Sequence, residues 1–264
     1  MNAQMLETDL FQVKEWLKKY KDNAAKKIVD ILIDFVDFGM KEADIIKICK
    51  MLSLDEAVNC INKFYDYKNK IVDLLTYSAG LDEKTFLEVI KTIEKYEKED
   101  IAEIVDILDE MLDRVLEISD TGVSEDRNLV IEASRAIRKY KNGYVGEISC
   151  WMKEILKEHE DNRSVIEAIR IFSLDEMVNT VNASAYDAYT NREIAAALAE
   201  VAVSLMDKDV ITKCCETIKK CEKEVVNEIA YALGEIADSS RDKKAVIKAA
   251  EFLLRKEIKD IIKK

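Results

Sequence analysis

The chain repeats itself, and this internal similarity restricts its fold more than any other feature. The stretch SLDEAVNCIN at 53–62 returns as SLDEMVNTVN at 173–182, with seven of ten residues identical and an offset of 120. A longer match aligns residues 92–113 with residues 217–238, where 11 of 22 positions are identical. Self-similarity of this kind is typical of repeat architectures. We interpret residues 11–123 and 131–238 as a tandem duplication, followed by a C-terminal capping helix over 240–263.

A shorter period lies inside the duplication. The tetrapeptides GMKE at 39, GLDE at 80 and GVSE at 122 are spaced 41 and 42 residues apart. Glycine followed by an apolar residue is typical of a left-handed helix C-cap. Asp82 and Ser124, beside two of these glycines, can cap the next helix. The spacing predicts about six helical hairpins of roughly 40 residues each, three in each half.

The composition favours a chain built from helices alone. There is no proline among the 264 residues, and there are only six glycines. Proline is tolerated in turns and at strand edges, whereas helix interiors exclude it. Ala, Leu, Ile, Glu and Lys, the residues that favour helices, are abundant. We predict an all-α fold.

Charge and apolar patterning narrow the classes of function. The net charge of −12 disfavours binding to nucleic acid and to anionic membrane surfaces. The N-terminus lacks a signal-peptide pattern, and no apolar run is long enough to span a bilayer. Six cysteines without regular spacing suit a reducing compartment. We expect a cytoplasmic protein that does not associate with membranes.

One segment resembles a known repeat family. The run VVNEIAYALGEIADSSRDKKAVIKAAEFLL at 225–254 is similar to a HEAT-type repeat, of the HEAT-like or armadillo type, and the resemblance is best over 192–254. It implies one α-solenoid domain over 1–264, in which hairpins stack on their neighbours. Proteins of this family mostly bind other proteins, so the resemblance implies a non-enzymatic interaction scaffold. The alternative is a HEAT-like enzyme, processing nucleic-acid bases or attaching a ligand at a concave surface.

The repeated SLDE motif predicts the start of a helix. Ser53 can accept a hydrogen bond from the amide of Glu56, whose carboxylate reaches back to the Ser53 amide, and Ser173 and Glu176 repeat the pattern. The apolar stripe of the preceding helix also stops in phase at Leu52. We predict that a short helix restarts at each motif.

Polar residues after each SLDE motif are not explained by helix capping. Asn pairs at i and i+3 share one helix face, and each pair is followed by a Tyr-Asp step. The eight residues form a candidate partner-binding surface, present once in each half: Asn59, Asn62, Tyr65, Asp66, Asn179, Asn182, Tyr186 and Asp187.

An acidic helix face is the second candidate surface. Glu103, Asp106, Glu110, Asp113 and Glu117 fall at helical spacing on one side of a predicted helix near 99–119. Like charges one turn apart destabilise a helix, and the duplicate of this segment is less acidic. A charged stripe is also typical of an ordinary solvated face. If the face binds a macromolecule, its partner is expected to be a protein with a basic surface.

Neither a catalytic residue nor a cofactor or metal site is predicted. Cys214, Cys215 and Cys221 follow the buried spacing of a helix rather than the paired spacing of zinc ligands. His159, the only histidine, lies at a predicted turn, and Gly234 is expected to serve close helix packing. Two basic clusters, at 18–27 and 138–142, are interpreted as helix ends. The oligomeric state stays open.

Overall fold

The protein is helical throughout the part that the structure describes. A computed structural model describes residues 15–21, 23–118, 128–183 and 185–255, and within these ranges the regular elements are helices, without strands. The predicted all-α fold is therefore confirmed for these residues. Two compact units divide the chain, Met1–Gly122 and Val123–Lys264. Among the described residues, none of the helices combines the length and apolar character needed to cross a bilayer.

Six helices and one short 3-10 turn have both ends among the described residues of the first unit. They are α1 (Ala24–Asp37), α2 (Glu42–Leu52), α3 (Asp55–Lys63), the turn Tyr65–Tyr67, α4 (Lys68–Leu81), α5 (Glu83–Lys95) and α6 (Lys98–Ile118). Helix α4 lies between α1 and α6 and packs on both, while α3 packs on α5. Ile71, Leu74 and Leu75 of α4 are fully buried, so this helix forms the centre of the apolar core.

The described residues of the second unit form eight helices. They are α7 (Asn128–Ile137), α8 (Val145–Glu158), α9 (Asn162–Phe172), α10 (Asp175–Val181), α11 (Ala188–Leu205), α12 (Lys208–Lys219), α13 (Val226–Ser240) and α14 (Lys243–Leu253). Helix α11 packs on α8 and on α13, and α12 packs on α10 and α14. Alanines at 195, 197, 199 and 202 are buried in α11. Small side chains let helix axes approach closely, which suits the central position of α11.

The predicted C-cap at Gly39 is confirmed, and the one at Gly80 is wrong. Gly39 has φ +83°. Its amide donates to Val36 O, and the amide of Met40 donates to Phe35 O, each at 2.9 Å, which is the Schellman pattern. Gly80 instead lies inside α4, where a Cβ atom would stand 3.4 Å from the ring of Phe35. Its role is close packing.

Aspartate side chains cap several helices. Asp82 accepts a hydrogen bond from Thr85 N at 2.8 Å, as the sequence predicted. Four further helices begin with the same kind of cap, at Asp161, Asp187, Asp207 and Asp242. Ser124 and Gly122 lie outside the described residues.

The helix restart at SLDE is confirmed, but the predicted capping box is wrong. Helices α3 and α10 begin just after the two motifs, and neither has a side-chain cap. Ser53 has a helical backbone conformation at the end of α2, and its hydroxyl donates to Lys50 O at 2.7 Å. Ser173 donates to Arg170 O at 2.9 Å. Each serine therefore completes the helix before the break, because its backbone still follows that helix.

Candidate functional site

Asn62 and Asn182, two of the predicted surface residues, bind the backbone of a preceding turn. The side chain of Asn62 accepts from Lys21 N and donates to Lys19 O, both at 3.0 Å. Asn182 accepts from Lys141 N at 3.0 Å and donates to Lys139 O at 2.8 Å. These backbone groups lie in turns that precede α1 and α8, where helical partners are missing. Both asparagines therefore hold turns in place.

Further contacts around each asparagine are duplicated at the same offset. The hydroxyl of Tyr20 donates to Leu52 O, and that of Tyr140 donates to Phe172 O, each at 2.5 Å. The ammonium groups of Lys19 and Lys139 pair with Asp55 and Asp175, at 2.7 and 3.1 Å. The two basic clusters thus lie at helix junctions, as predicted, and they are anchored there by matching sets of contacts. Each of these contacts in the first half therefore has a counterpart between residues 120 positions later.

The remaining residues of this predicted surface differ between the two halves. Asn59 and Asn179 are exposed in both. Tyr65 is 62% exposed, with the Lys68 ammonium 4.1 Å from its ring centre. Tyr186 is half-buried, and its hydroxyl donates to Ile218 O at 3.3 Å.

The two aspartates of the Tyr-Asp steps also differ. Asp66 is exposed and forms an ion pair with Lys98. Asp187 caps α11 and pairs with Lys223 at 3.4 Å, and the hydrogen bond from Thr190 lowers the pKa of its carboxyl. The eight residues therefore do not present the same surface twice, although the sequence motif is duplicated.

The acidic helix face corresponds to α6. The residues predicted to lie opposite it are buried, namely Ile101, Ile104, Leu108, Met111 and Val115. Glu110 and Asp113 are exposed, whereas Glu103 and Asp106 are half-buried. The side chain of Glu117 lies outside the described residues. The amphipathic character of the helix is confirmed, and its acidic side is partly covered by neighbours.

Carboxylates of α1 and α4 lie beside those of α6. Asp73 of α4 and Asp34 of α1 lie close enough to Tyr77, together with Asp113 and Asp109, to raise the pKa of its hydroxyl, an effect to which burial contributes most. The Tyr77 ring stands against Phe35 with 5.4 Å between ring centres. We call the following set the acidic surface: Asp34, Asp73, Asp106, Asp109, Glu110 and Asp113.

Asp109 is the most perturbed carboxyl of the acidic surface. Partial burial, the neighbouring Asp113 and Asp73, and the more distant Asp106 raise its pKa from 3.8 to about 6, although Lys70 opposes the shift. Burial and like charges both disfavour the ionised form of a carboxyl. Near neutral pH the Asp109 carboxyl is therefore mostly ionised, although its surroundings favour the protonated form.

Two lysines compensate part of the negative charge. Lys27 of α1 pairs with Asp73, and Lys70 of α4 pairs with Asp106 at 2.5 Å. Each pair joins adjacent helices of the first unit. Six carboxylates lie together on the acidic surface, and a surface rich in charge of one sign attracts cationic groups.

The second unit carries a smaller version of this arrangement. Glu200 of α11 has a raised pKa because it is partly buried and lies near Asp238 and Glu235 of α13. Gly234 makes room for it, since a Cβ atom there would stand 2.2 Å from the Glu200 carboxylate and 3.5 Å from Ala197 Cα. The predicted packing role of Gly234 is confirmed. In the aligned repeat, Gly234 takes the position of Asp109.

Sequence reasoning missed Asp34, Asp73, Asp109 and Tyr77. The signal that could have found three of them is the repeat period itself. Asp34, Asp73 and Asp113 are 39 and 40 residues apart, close to one period, so positions about one period apart on α1, α4 and α6 carry carboxylates. Asp109 lies one turn from Asp113, a spacing that places two like charges side by side.

The three cysteines and the histidine singled out from the sequence lie in or next to helices of the second unit. Cys214 and Cys215 are buried in α12, as predicted, and burial raises the pKa of their thiols to about 12 and about 11. Cys221 is half-buried, and His159 follows the end of α8. Across the described ranges, no group of three or more His, Cys, Asp or Glu side chains is arranged to hold a metal ion.

Comparison of the chain with protein-family profiles, with curated proteins and with solved structures finds no match. Function must therefore be inferred from the geometry of this chain.

Proposed function

We propose that this protein is an interaction scaffold of HEAT-like hairpins stacked as an α-solenoid, and that its acidic surface binds a basic protein partner. In this proposal α1, α4 and α6 are the first helices of successive hairpins. Their stacking brings Asp34, Asp73 and Asp113 into one row across the first unit. The partner contributes lysine or arginine side chains to that row.

The packing of alternate helices supports the solenoid. In the first unit α4 packs on α1 and on α6, and in the second α11 packs on α8 and on α13. Second helices also contact one another, as α7 with α9 and α12 with α14 do. In a solenoid each repeat contacts only its neighbours, which gives contacts of this kind.

The raised pKa of Asp109 is the observation that supports the binding role most strongly. Its pKa of about 6 reflects burial and repulsion from neighbouring carboxylates, which exceed the opposing effect of Lys70. A cation placed beside it would favour the ionised carboxylate and offset the repulsion from Asp113. Such a surface favours ligands that supply positive charge.

A peptide titration tests this proposal. A fluorescent 12-residue peptide rich in Lys and Arg is titrated against the full chain, and anisotropy reports binding. We expect binding that weakens about tenfold or more between 50 and 200 mM salt, since contacts between exposed charges are screened. The triple variant Asp106→Lys, Glu110→Lys, Asp113→Lys should lose most of the affinity.

The matched control carries the same kind of charge reversal elsewhere in the first unit. Glu83 and Glu94 are exposed on α5, outside the acidic surface. The variant Glu83→Lys, Glu94→Lys, Glu97→Lys, in which Glu97 is exposed just after α5, changes the net charge as much as the triple variant does. It should bind the peptide within about twofold of wild type, since only the long-range charge changes. Equal losses in both variants would indicate attraction by net charge alone and would contradict a role for the acidic surface.

A further inference from the structure

Helix α1 presents a second apolar face, which points away from the core. Val29, Ile33 and Val36 fall at i, i+4 and i+7, and their side chains are 36%, 52% and 56% exposed. We call these three residues the apolar stripe. Phe38, at the end of the helix, is 90% exposed. A single exposed apolar residue is ordinary, whereas a continuous stripe on one helix indicates an interaction surface.

The opposite sides of α1 are occupied within the first unit. Ile28 and Ile31 are buried in the core. Lys27 pairs with Asp73 of α4, and Asp34 lies near Tyr77, which is also on α4. The apolar stripe lies on neither of these sides, because at 100° per residue its members point about 120° from the core-facing residues.

Charged residues flank the apolar stripe in a complementary order. Lys26 stands at its N-terminal end and Asp37 at its C-terminal end, with Asp30 between them on the same flank, and all three are exposed. If two copies of α1 pair in antiparallel orientation, Lys26 of each copy lies opposite Asp37 of the other. The same pairing places Val29 within about two residues of Val36 of the other copy and the two Ile33 side chains near the centre of the contact. A parallel pairing would place like charges together.

We infer that the apolar stripe is a two-fold contact with a second copy of this chain. The stripe nearly matches itself in shape, since Val29 and Val36 lie four and three residues from Ile33, and its two ends carry opposite charges. A two-fold contact requires that one patch match itself in this way. The contact lies on the side of α1 away from α4, so it leaves the acidic surface open.

The size of the contact predicts a weak association. Helix α1 has 14 residues, which makes it about 21 Å long. A pair of helices of this length buries less than the ~1,200 Å² of a stable interface, so we expect a transient dimer. Its contacts are mostly apolar, and added salt should therefore leave it largely intact. This separates it from the peptide binding proposed above, which salt weakens.

Sedimentation velocity over about 5 to 500 μM tests the dimer with the full chain. We expect wild type to shift from monomer toward dimer within this range, and Ile33→Asp to remain monomeric. Lys26→Glu should weaken the dimer about fivefold, and the double variant Lys26→Glu, Asp37→Lys should restore it, because the pairing is reciprocal. Lys47→Glu, exposed on α2, is the matched control and should change nothing.

Cysteine cross-linking reports the orientation. In a Cys150→Ser background, which removes the exposed native thiol, Ile33→Cys should form a disulfide-linked dimer under mild oxidation. Lys26→Cys should not, since the two symmetry-related positions are about 17 Å apart along the helix. Equal cross-linking at both positions would contradict the antiparallel arrangement.

A wild type that stays monomeric at every concentration would overturn the proposal. If Ile33→Asp then lowered the melting temperature, the apolar stripe would be packed against a segment of the same chain. If it left the melting temperature unchanged, the stripe would be open to a different protein.

Discussion

Asn62 and Asn182 show how one side chain can complete a turn. A carboxamide has an acceptor and a donor, so it can bind an amide and a carbonyl two residues apart, as Asn62 does with Lys21 and Lys19. No hydroxyl or carboxylate offers both groups in this geometry. The residue type is therefore required by the backbone of the turn.

Replacing Asn62 with Ala should destabilise the protein. Two hydrogen bonds are lost, each contributing about 1 kcal/mol, and the turn before α1 loses its link to α3. We expect a decrease of about 1 to 2 kcal/mol in the free energy of unfolding, measured by urea denaturation.

Asn59→Ala is the matched control, one turn earlier on the same helix and exposed. It should change the free energy of unfolding by less than about 0.5 kcal/mol. Equal effects at both positions would mean that the bonds to the turn contribute nothing.

Asp109 should make stability depend on pH. Its pKa is about 6 in the fold and 3.8 when unperturbed, so the folded state binds the proton more tightly. Stability from this group therefore rises as pH falls from about 6 toward 4 and is lowest above 6. Asp109→Asn should raise the free energy of unfolding at pH 7 by about 1 kcal/mol, after allowance for solvent on its exposed side.

Carboxyl NMR titration checks the cause of the shift. Asp113→Asn removes the largest neighbouring charge and should lower the pKa of Asp109 toward its ordinary range. A pKa that stayed near 6 in this variant would mean that Asp113 contributes nothing to the shift.

The sequence predicted the polar candidates but not all of their roles. The spacing of Asn59 and Asn62 correctly placed both on one helix. The role of Asn62 depends on the turn at 19–21, which lies 41 to 43 residues earlier and has no marker in the local sequence. The duplicated LKKYK and IRKYK segments, at the same offset of 120, were the available sign that the two regions touch.

At the level of helices, Gly39 ends α1 through a backbone conformation that other residues avoid. A Cβ atom there meets nothing within 4 Å, so the cost of a substitution comes from φ +83° alone. We expect Gly39→Ala to lower the melting temperature, corresponding to about 1 kcal/mol.

Gly39→Asn is the informative companion, since Asn tolerates the left-handed region better than Ala. It should cost less than half as much as Gly39→Ala. An equal cost would point to a side-chain contact in place of backbone strain.

Helix boundaries were predictable where apolar periodicity changed phase, as at Leu52. The cause assigned to the break was wrong, because a capping box needs an extended residue at the cap, and Ser53 is helical. Gly80 shows the same limit. A glycine that ends a helix and one that admits a neighbouring ring look alike until the position of Phe35 is known.

At the scale of the whole molecule, the lack of proline was enough to predict the all-α class. The acidic surface could not be predicted from the sequence of any single helix. Its members lie on α1, α4 and α6, and their proximity depends on how these helices align along their axes. The period of 39 and 40 residues between Asp34, Asp73 and Asp113 predicts a row only once stacking is assumed.

Binding of a basic peptide to the acidic surface should weaken in acid. A cation favours the ionised form of Asp109, so protonation below a pKa of about 6 opposes binding. We expect affinity for the Lys- and Arg-rich peptide to fall by up to roughly tenfold from pH 7 to pH 5, and Asp109→Asn to show little of this change. A wild-type profile identical to that of the variant would remove Asp109 from the binding surface.

The duplicated turn contacts have a consequence for synthesis on the ribosome. Tyr20 reaches a carbonyl 32 residues later, and Asn62 reaches backbone groups at most 43 residues earlier. Each set of bonds can therefore close once about one period of chain has left the exit tunnel, before the rest of its unit is translated. Native contacts of such short range favour rapid folding. We expect the nascent chain to gain structure in steps of one period, each protecting the apolar residues just made.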